Sequence, residues 1–298
     1  MAALILGGLV LAGCASHDNA RQEPVALPET DFEVRQALRF SPEDWPEALL
    51  ADLYLPEGPG PAPAVLLVHG GGWERRSRED MTWIAEELAG RGFAVMNIDY
   101  RFAPAYTFPA QLQDLQVAMR WLRVHAADYR IDPDAISAFG FSSGAHLVSL
   151  LALTSEPGHP LSEPHGGPGT RPIAVVAGGI PSDLRRFDSG RLIRQFLGGT
   201  EQEKPETYRL ASPIAHVSSD APPFFLFHGN LDMLVPPDQA EDFHKALLEN
   251  GVHSEFYLMH LRGHITSFLT AGNAVEQATE FLARYGRRPG QRITGTGH

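Results

Sequence analysis

Short apolar runs alternate with longer amphipathic segments from about residue 32 to residue 285. The short runs are almost continuously hydrophobic, which is typical of strands covered on both faces of a sheet. The longer segments carry apolar residues at helical spacing, and two of them are followed by a glycine stop. Since each helix candidate lies between strand candidates, the pattern predicts an α/β fold with a mostly parallel central sheet and helices on both faces. The strand candidates are 64–69, 93–99, 135–141, 173–179, 223–229 and 254–260, and the helix candidates are 78–92, 111–129, 144–153, 237–251 and 271–285.

Other stretches depart from this alternation. Residues 48–55 are predicted to form an antiparallel edge strand, and the Pro/Gly-rich residues 154–172 a surface loop. Residues 181–213 form an insertion with only a weak helical pattern. An insertion of this length can be inert or can form a small lid, and its position before a strand of the sheet favours a lid over a site. The Gly-rich, basic residues 287–298 are predicted to be a disordered tail.

A short apolar segment, residues 2–13, precedes the only cysteine of the chain, Cys14. The segment has the length of the hydrophobic part of an export signal and is too short for a transmembrane helix. Residues 11–14 read LAGC and resemble the bacterial lipobox, whose cysteine is acylated and becomes the new N-terminus. The segment ahead of them carries no Lys or Arg, which departs from the usual export signal. A hydrophobic N-terminus with an unrelated cysteine is the alternative.

From this resemblance we expect residues 1–13 to be a lipoprotein signal peptide and Cys14 to be the lipidation site. The acyl chains would anchor an exported protein in a lipid bilayer, at the outer membrane or the periplasmic face of a bacterium. The polar, proline-containing residues 14–31 would then be a flexible tether, followed by a folded domain over 32–286.

Composition excludes several other classes of protein. With 43% hydrophobic and 20% charged residues among 298, the chain is typical of a globular protein rather than a disordered one. The formal net charge of −12 argues against nucleic acid as a partner. A single cysteine permits neither an internal disulfide nor a multi-cysteine metal site.

The chemistry begins with residues 140–144, GFSSG, which match the pattern G-x-S-x-G. Ser142 follows a strand candidate and precedes a helix candidate, which is the context of a nucleophile elbow. Gly140 and Gly144 suit such a turn because the backbones of strand and helix approach closely there. Ser142 is therefore a candidate nucleophile, and the amide of Ser143 at the helix start would face the substrate oxygen.

A second motif, HGGGW at residues 69–73, ends another strand candidate. Successive glycines let backbone N–H groups face a cleft without obstruction from side chains, as an oxyanion hole requires. The alternative is a plain glycine-rich loop. Phosphate binding is disfavoured because the glycines lack the spacing of phosphate-binding motifs.

A serine nucleophile needs a base and an acid, which come later in the chain in the order Ser, Asp, His. Asp232 and His264 each follow a strand candidate, so we expect both at the carboxyl edge of the sheet, beside Ser142. Structural roles are expected for three rival side chains: Asp99 has the wrong chain order, His260 lies within or at the end of its strand pattern, and His146 lies on a packed helix face.

These motifs resemble the α/β-hydrolase superfamily. Within it the chain is similar to bacterial acetyl-esterase and feruloyl-esterase-like carboxylesterases, near the hormone-sensitive-lipase-like esterases. The resemblance covers most of residues 45–285 and is carried by residues 69–73, 99–122, 132–147, 212–240 and 263–264.

The resemblance implies Ser142 as nucleophile, Asp232 as acid and His264 as base, with no metal or organic cofactor. It implies an oxyanion hole formed by the amides of Gly71, Gly72 and Ser143. The chain has Ser143-Gly144-Ala145 where these esterases often have Ala-Gly-Gly, which leaves the amide unchanged. The expected substrate is a small-molecule or carbohydrate-linked ester of a short acyl, acetyl or feruloyl group. Side chains predicted to line its pocket are Trp73, Phe102 and Phe108, with the insertion 181–213.

Two other functions stay open at the level of sequence. Arylformamidases share an HGG-x-W element and serine peptidases share the fold, so an amide could be the substrate. A surface lipoprotein that kept the fold and lost the chemistry is the non-enzymatic alternative.

Overall fold

A computed structural model describes residues 15–20, 25–187 and 190–286. The predicted signal peptide 1–13, the lipidation site Cys14 and the predicted tail 287–298 lie outside the described residues. The remaining predictions are compared with the structure below.

One mixed sheet of nine strands organises the described residues, in the order β1-β9-β8-β7-β6-β4-β5-β3-β2. The six central strands of this order run parallel, as the continuous apolar runs predict; they are β9, β8, β7, β6, β4 and β5. The strands are β1 Ala15–Asp18, β2 Phe32–Arg39, β3 Leu50–Pro56, β4 Ala62–Val68, β5 Ala94–Ile98, β6 Ile131–Phe141, β7 Val175–Gly178, β8 Phe224–Gly229 and β9 Ser254–Met259.

Both sides of the sheet differ from the prediction. β3, predicted as the edge, pairs antiparallel with β5 and is covered by β2, which forms the edge. On the other side, β1 pairs antiparallel with β9, although it falls in the predicted flexible tether 14–31. The unpaired backbone of β9 offers hydrogen-bond partners to any extended segment. Two side chains of β1 and that of the next residue, Asn19, contact the rest of the fold. His17 Nε2 lies 3.1 Å from Glu255, and Asp18 lies 3.4 Å from His244. The Asn19 side chain donates to the Ser254 carbonyl.

Helices cover both faces of the sheet. On one face α2, α3 and α6 bury side chains such as Leu115, Leu147 and Phe243 against it. On the other face α1 and α8 bury Ile84 and Phe281. The helices are α1 Thr82–Gly90, α2 Ala110–Val124, α3 Ser143–Leu153, α4 Arg191–Leu197, α5 Pro205–Leu210, α6 Asp238–Glu249, α7 His264–Leu269 and α8 Gly272–Tyr285. All five predicted helices are present, and this three-layer arrangement is the predicted α/β-hydrolase fold.

Three short helices, α4, α5 and α7, have no counterpart among the predicted elements. Each has six or seven residues, which is fewer than two helical turns, so none is long enough to display a repeated apolar stripe. α4 and α5 belong to the insertion 181–213, and α7 begins at His264. Within the described part of the chain, no helix is both long enough and apolar enough to span a bilayer.

Candidate active site

Ser142 lies at the tight turn between β6 and α3. Its φ of 54° is in the left-handed region, which is unusual for a residue other than glycine. A Cβ on Gly144 would lie 2.2 Å from the carbonyl oxygen of Val68, and one on Gly140 would lie 2.3 Å from the Gly144 backbone. The two glycines of the motif are therefore required by the close approach of α3 to β4 and β6, and the turn projects Ser142 at the carboxyl edge of the sheet.

Ser142, His264 and Asp232 form a hydrogen-bonded row. His264 Nε2 lies 2.9 Å from Ser142 Oγ, and His264 Nδ1 lies 2.6 Å from Asp232 Oδ2. The ring of His264 packs against Phe141, with centroids 5.1 Å apart. These three residues, which are separated by up to 122 positions in the chain, are the ones that the sequence predicts as nucleophile, base and acid.

The carboxylate of Asp232 is held from three directions. Its Oδ1 accepts hydrogen bonds from the amides of Leu234 and Val235 at 2.9 and 2.8 Å, which leaves Oδ2 facing His264. His228 Nε2 lies 3.3 Å from the same Oδ2. Burial by itself would raise the pKa of Asp232, but the hydrogen bonds from His228 and His264 outweigh it, so the pKa is lowered and the group is an anion.

His228 is a positioning residue that sequence reasoning missed. It is fully buried at the end of β8, and its Nε2 also lies 2.8 Å from the Val235 carbonyl oxygen, so this nitrogen carries the proton. The available signal was a histidine ending an apolar strand four residues before the acid. That pattern alone does not distinguish such a role from ordinary core packing.

The three residues predicted to form an oxyanion hole differ in what their backbone amides contact. Gly71 and Ser143 both line the cavity, and Ser143 is the first residue of α3, where backbone N–H groups lack partners within the helix. Gly71 has a φ of 121°, and a Cβ there would lie 2.0 Å from the Arg75 carbonyl oxygen. The amide of Gly72, however, donates to Ser143 Oγ at 3.1 Å. Its N–H is occupied by a side chain, because Ser143 carries a hydroxyl where an alanine would leave that amide free.

Ser143 Oγ also lies 3.2 Å from the hydroxyl of Tyr100, which itself donates to the His69 carbonyl. We expect Ser143→Ala to lower the free energy of unfolding by about 2 kcal/mol, since one buried and one partly buried hydrogen bond are lost. We expect kcat to fall by less than about ten-fold, because the Ser143 amide is retained. Urea unfolding and ester turnover measure the two effects. A loss of turnover comparable to that of a Ser142 variant would mean that the hydroxyl itself takes part in the reaction.

The rival side chains have structural roles. His146 is fully buried, accepts from Trp73 Nε1 at 3.3 Å and contacts the Ala211 carbonyl, and burial lowers its pKa to about 4. The carboxylate of Asp99 accepts hydrogen bonds from the backbone amide and the guanidinium of Arg78. These bonds hold the loop after HGGGW against the sheet. His260 is not part of the hydrogen-bonded row. The sequence-based exclusion of all three agrees with these positions.

A cavity of about 500 Å³ opens above Ser142 and His264. Trp73 forms part of its wall, although the ring is almost fully buried and stacks on Phe196 with centroids 4.4 Å apart. Phe102 and Phe108 are not among the residues that line the described cavity; Phe108 is buried in the core, and the partly buried Phe102 packs against it. Their role as substrate contacts stays a prediction. Both follow β5 at the site's edge of the sheet, but they turn inward against Tyr100 and Phe196.

The insertion 181–213 lies over one side of this cavity. Leu192 on α4 reaches the HGGGW loop. A Cβ on Gly72 would lie 3.0 Å from Cδ1 of Leu192. Arg191 donates two hydrogen bonds of 2.9 Å to the carboxylate of Glu74, and this contact ties α4 to the HGGGW loop. The buried Phe196 anchors the same helix. The described part of the insertion thus contributes a wall of the cavity. Its role as a lid stays a prediction.

The arrangement can carry out nucleophilic acyl chemistry. A hydroxyl is hydrogen-bonded to an imidazole, the imidazole is oriented by a buried carboxylate, and backbone donors are available beside the hydroxyl. In the described residues, no group of three or more His, Cys, Asp or Glu side chains is arranged to hold a metal ion.

The family of the chain follows from a match to the BD-FAE family model over residues 51–247, which includes Ser142 and Asp232. The chain belongs to the BD-FAE family.

Relatives of this BD-FAE chain carry esterase names. The esterase LipQ of Mycobacterium tuberculosis is 30% identical over 244 residues, which are 78% of this chain and 58% of the relative. The probable isoprenylcysteine alpha-carbonyl methylesterase ICMEL1 of Arabidopsis thaliana is 30% identical over 73% of this chain and 48% of its own length. The chain spans about half the length of the curated relatives it matches.

Solved structures give the same fold for this BD-FAE protein. A truncated carbohydrate esterase from gut microbiota superposes with a TM-score of 0.77 at 25% identity, over 89% of this chain and 99% of that one. Esterase 2 of Thermogutta terrifontis with bound butyrate superposes with a TM-score of 0.70 at 25% identity, over 86% and 94%. Both of these neighbours carry esterase titles.

Proposed function

We propose that the protein is a serine carboxylesterase. The observation that carries the proposal is the hydrogen-bonded row of Ser142, His264 and Asp232 at the floor of a cavity that Gly71 and Ser143 also line. The esterase names of its relatives support the same reaction class.

In this proposal His264 Nε2 takes the proton of Ser142 as the serine oxygen attacks the ester carbonyl. Asp232 holds the tautomer with the proton on Nδ1 and stabilises the imidazolium that forms. The amides of Gly71 and Ser143 donate to the developing oxyanion, and the alcohol leaves with the proton from His264. Water then hydrolyses the acyl-enzyme by the same route, which regenerates Ser142.

Short acyl groups are the proposed substrates, and the alcohol is a small molecule or a sugar. The cavity of about 500 Å³ has a mainly apolar wall that includes Leu192, Val235 and Phe268. Such a wall suits an alkyl or aryl group. Four charged side chains, Arg75, Arg76, Asp80 and Arg191, also line the cavity. Among the structural neighbours, one is titled a carbohydrate esterase and another is bound to butyrate.

The reaction class is tested by comparing kcat/KM for p-nitrophenyl esters, a formanilide and a peptide anilide. We expect the esters to be hydrolysed fastest, and acetate or butyrate to be preferred to palmitate. Labelling by a fluorophosphonate probe should occur in the same preparation. Faster turnover of the formanilide would move the assignment to an amide hydrolase, and no labelling at all would favour a protein without catalytic chemistry.

We also propose that the chain is an exported lipoprotein, anchored through acylated Cys14. The support is the lipobox-like LAGC after the apolar residues 2–13. In a bacterial host, the wild-type chain should fractionate with membranes and incorporate labelled palmitate. Cys14→Ser should abolish that incorporation, because the chain has no other cysteine. Palmitate incorporation that is unchanged in this variant would disprove the anchor.

A further inference from the structure

An apolar rim surrounds one side of the cavity mouth. Six of the ten large hydrophobic side chains that are exposed in the described residues belong to it, with exposed fractions from 54% to 93%. The apolar rim consists of Leu231, Met233, Leu234, Leu261, Ile265 and Leu269. Single exposed leucines are common on protein surfaces, but a cluster of this kind indicates a contact surface.

The rim is one surface rather than six separate positions. The amide of Leu231 donates to the Arg262 carbonyl at 2.9 Å, and the amide of Leu261 donates to Asn230 Oδ1 at 2.7 Å. These bonds join the loop after β8 to the loop after β9. Leu234, Ile265 and Leu269 also line the cavity itself. The rim therefore continues from the cavity wall onto the outer surface.

The N-terminal strand places the start of the described chain beside this rim. β1 is antiparallel to β9, so Ala15 pairs with Met259, while Asp18 pairs with Phe256 farther from the site. Met259 is two residues before Leu261 of the rim. The apolar residues 2–13 and Cys14 precede Ala15 in the sequence, so they join the fold at the same edge as the catalytic cavity.

Two kinds of apolar feature thus meet at one edge of the molecule. A partner that binds both the rim and an apolar or acylated N-terminus must itself present an extended apolar surface. A lipid bilayer has this property. The formal net charge of −12 argues against attraction of the whole chain to an anionic surface, so the contact must come from the apolar side chains.

We propose that the apolar rim docks on a lipid bilayer, with the catalytic cavity opening toward the lipid. This orientation would admit esters that are dissolved in the membrane or that lie at its surface. It goes beyond the proposed esterase reaction, and binding through the rim does not require turnover.

The test uses a fluorophore that brightens in an apolar environment. Cys14→Ser gives a chain without cysteine, into which Met233→Cys is introduced and labelled with a nitrobenzoxadiazole group. The matched control is a label at Val124→Cys, on a side chain that is 75% exposed. Val124 is the last residue of α2 and lies at the edge of the sheet opposite the cavity, near the start of β6. The hydrogen bond from the Ile131 amide to the Ala126 carbonyl joins these two segments. The full chain keeps residues 2–13, so both labelled proteins share any attachment through that segment.

On addition of phosphatidylcholine vesicles, we expect a several-fold rise in emission at position 233 and none at position 124. Leu231→Ser with Leu261→Asn should reduce that rise, and Leu248→Ser at the opposite edge should not. Asn is chosen at position 261 because the φ of Leu261 is 58°, a conformation that Asn adopts more readily than most residues.

Equal responses at both labels, or no response at 233, would overturn the proposal. High emission before lipid is added would also overturn it, since the N-terminal segment or a second copy would then cover the rim. An inactive enzyme that gives the expected fluorescence would refute only the esterase proposal.

Discussion

Replacing Ser142 with alanine is expected to lower kcat for p-nitrophenyl acetate by about 10⁵-fold or more, because no other described group near His264 can replace the nucleophile. The fold should persist, since alanine retains the Cβ that already occupies the left-handed conformation at this turn. We expect the free energy of unfolding to change by less than about 1 kcal/mol. Active-site titration together with circular dichroism separates loss of chemistry from loss of structure.

Ser149→Ala is the matched control for that variant. Ser149 is a fully buried serine of α3, the helix that follows Ser142, and its hydroxyl donates to the Ala145 carbonyl at 2.7 Å. Its loss should change stability by no more than a hydrogen bond and leave kcat close to that of the wild type. Wild-type turnover in Ser142→Ala would disprove the acyl-enzyme mechanism.

The second large effect is expected for Asp232→Asn, with a loss of about 10⁴-fold in kcat. The amides of Leu234 and Val235 hold one oxygen of Asp232, and the asparagine carbonyl oxygen would take that place. The new NH₂ group would then face His264 Nδ1 and hold the imidazole in the tautomer that cannot accept a proton from Ser142. Rotating the amide is disfavoured, because its NH₂ would meet two backbone N–H donors.

Asp99→Asn provides the comparison for this variant. Asp99 also follows a strand at the carboxyl edge of the sheet, but it binds Arg78 rather than a histidine. We expect a loss of stability and a decrease in kcat of less than about ten-fold, since only the anchoring of a loop is weakened. If Asp99→Asn and Asp232→Asn lowered kcat equally, the assignment of the acid would have to be revised.

The parts of the molecule that follow from periodicity were predictable from the sequence. The six parallel strands are buried on both faces, so their apolar runs are continuous, and the five long helices have enough turns to show an apolar stripe. Because these strands are parallel, Ser142, Asp232 and His264 had to meet at one edge. Element order therefore predicts the fold and the edge at which these side chains lie. The motif around Ser142 and the chain order of the acid separate Asp232 from Asp99, which follows a strand at the same edge.

What the sequence left undetermined depends on contacts between distant residues. The hydroxyl of Ser143 occupies the Gly72 amide, and His228 supports Asp232 across a buried loop; neither contact has a local signature. The contacts of Phe102 with Tyr100 and of Phe108 with Phe196 also depend on packing, which local sequence does not determine. β1 was missed because four residues are too few to display an alternating pattern.

β1 also has a practical consequence for the solution behaviour of the protein. It covers the outer edge of β9, a strand that carries Phe256, Tyr257 and Leu258 in succession. A strand edge with unpaired backbone N–H and C=O groups can pair with a strand of another molecule, and such pairing is a common cause of aggregation. A shortened form that begins at the predicted domain start, residue 32, would lose this cover and invite edge-to-edge association. Residues 15–18 are therefore part of the folded sheet, although the sequence predicts that they belong to a flexible tether.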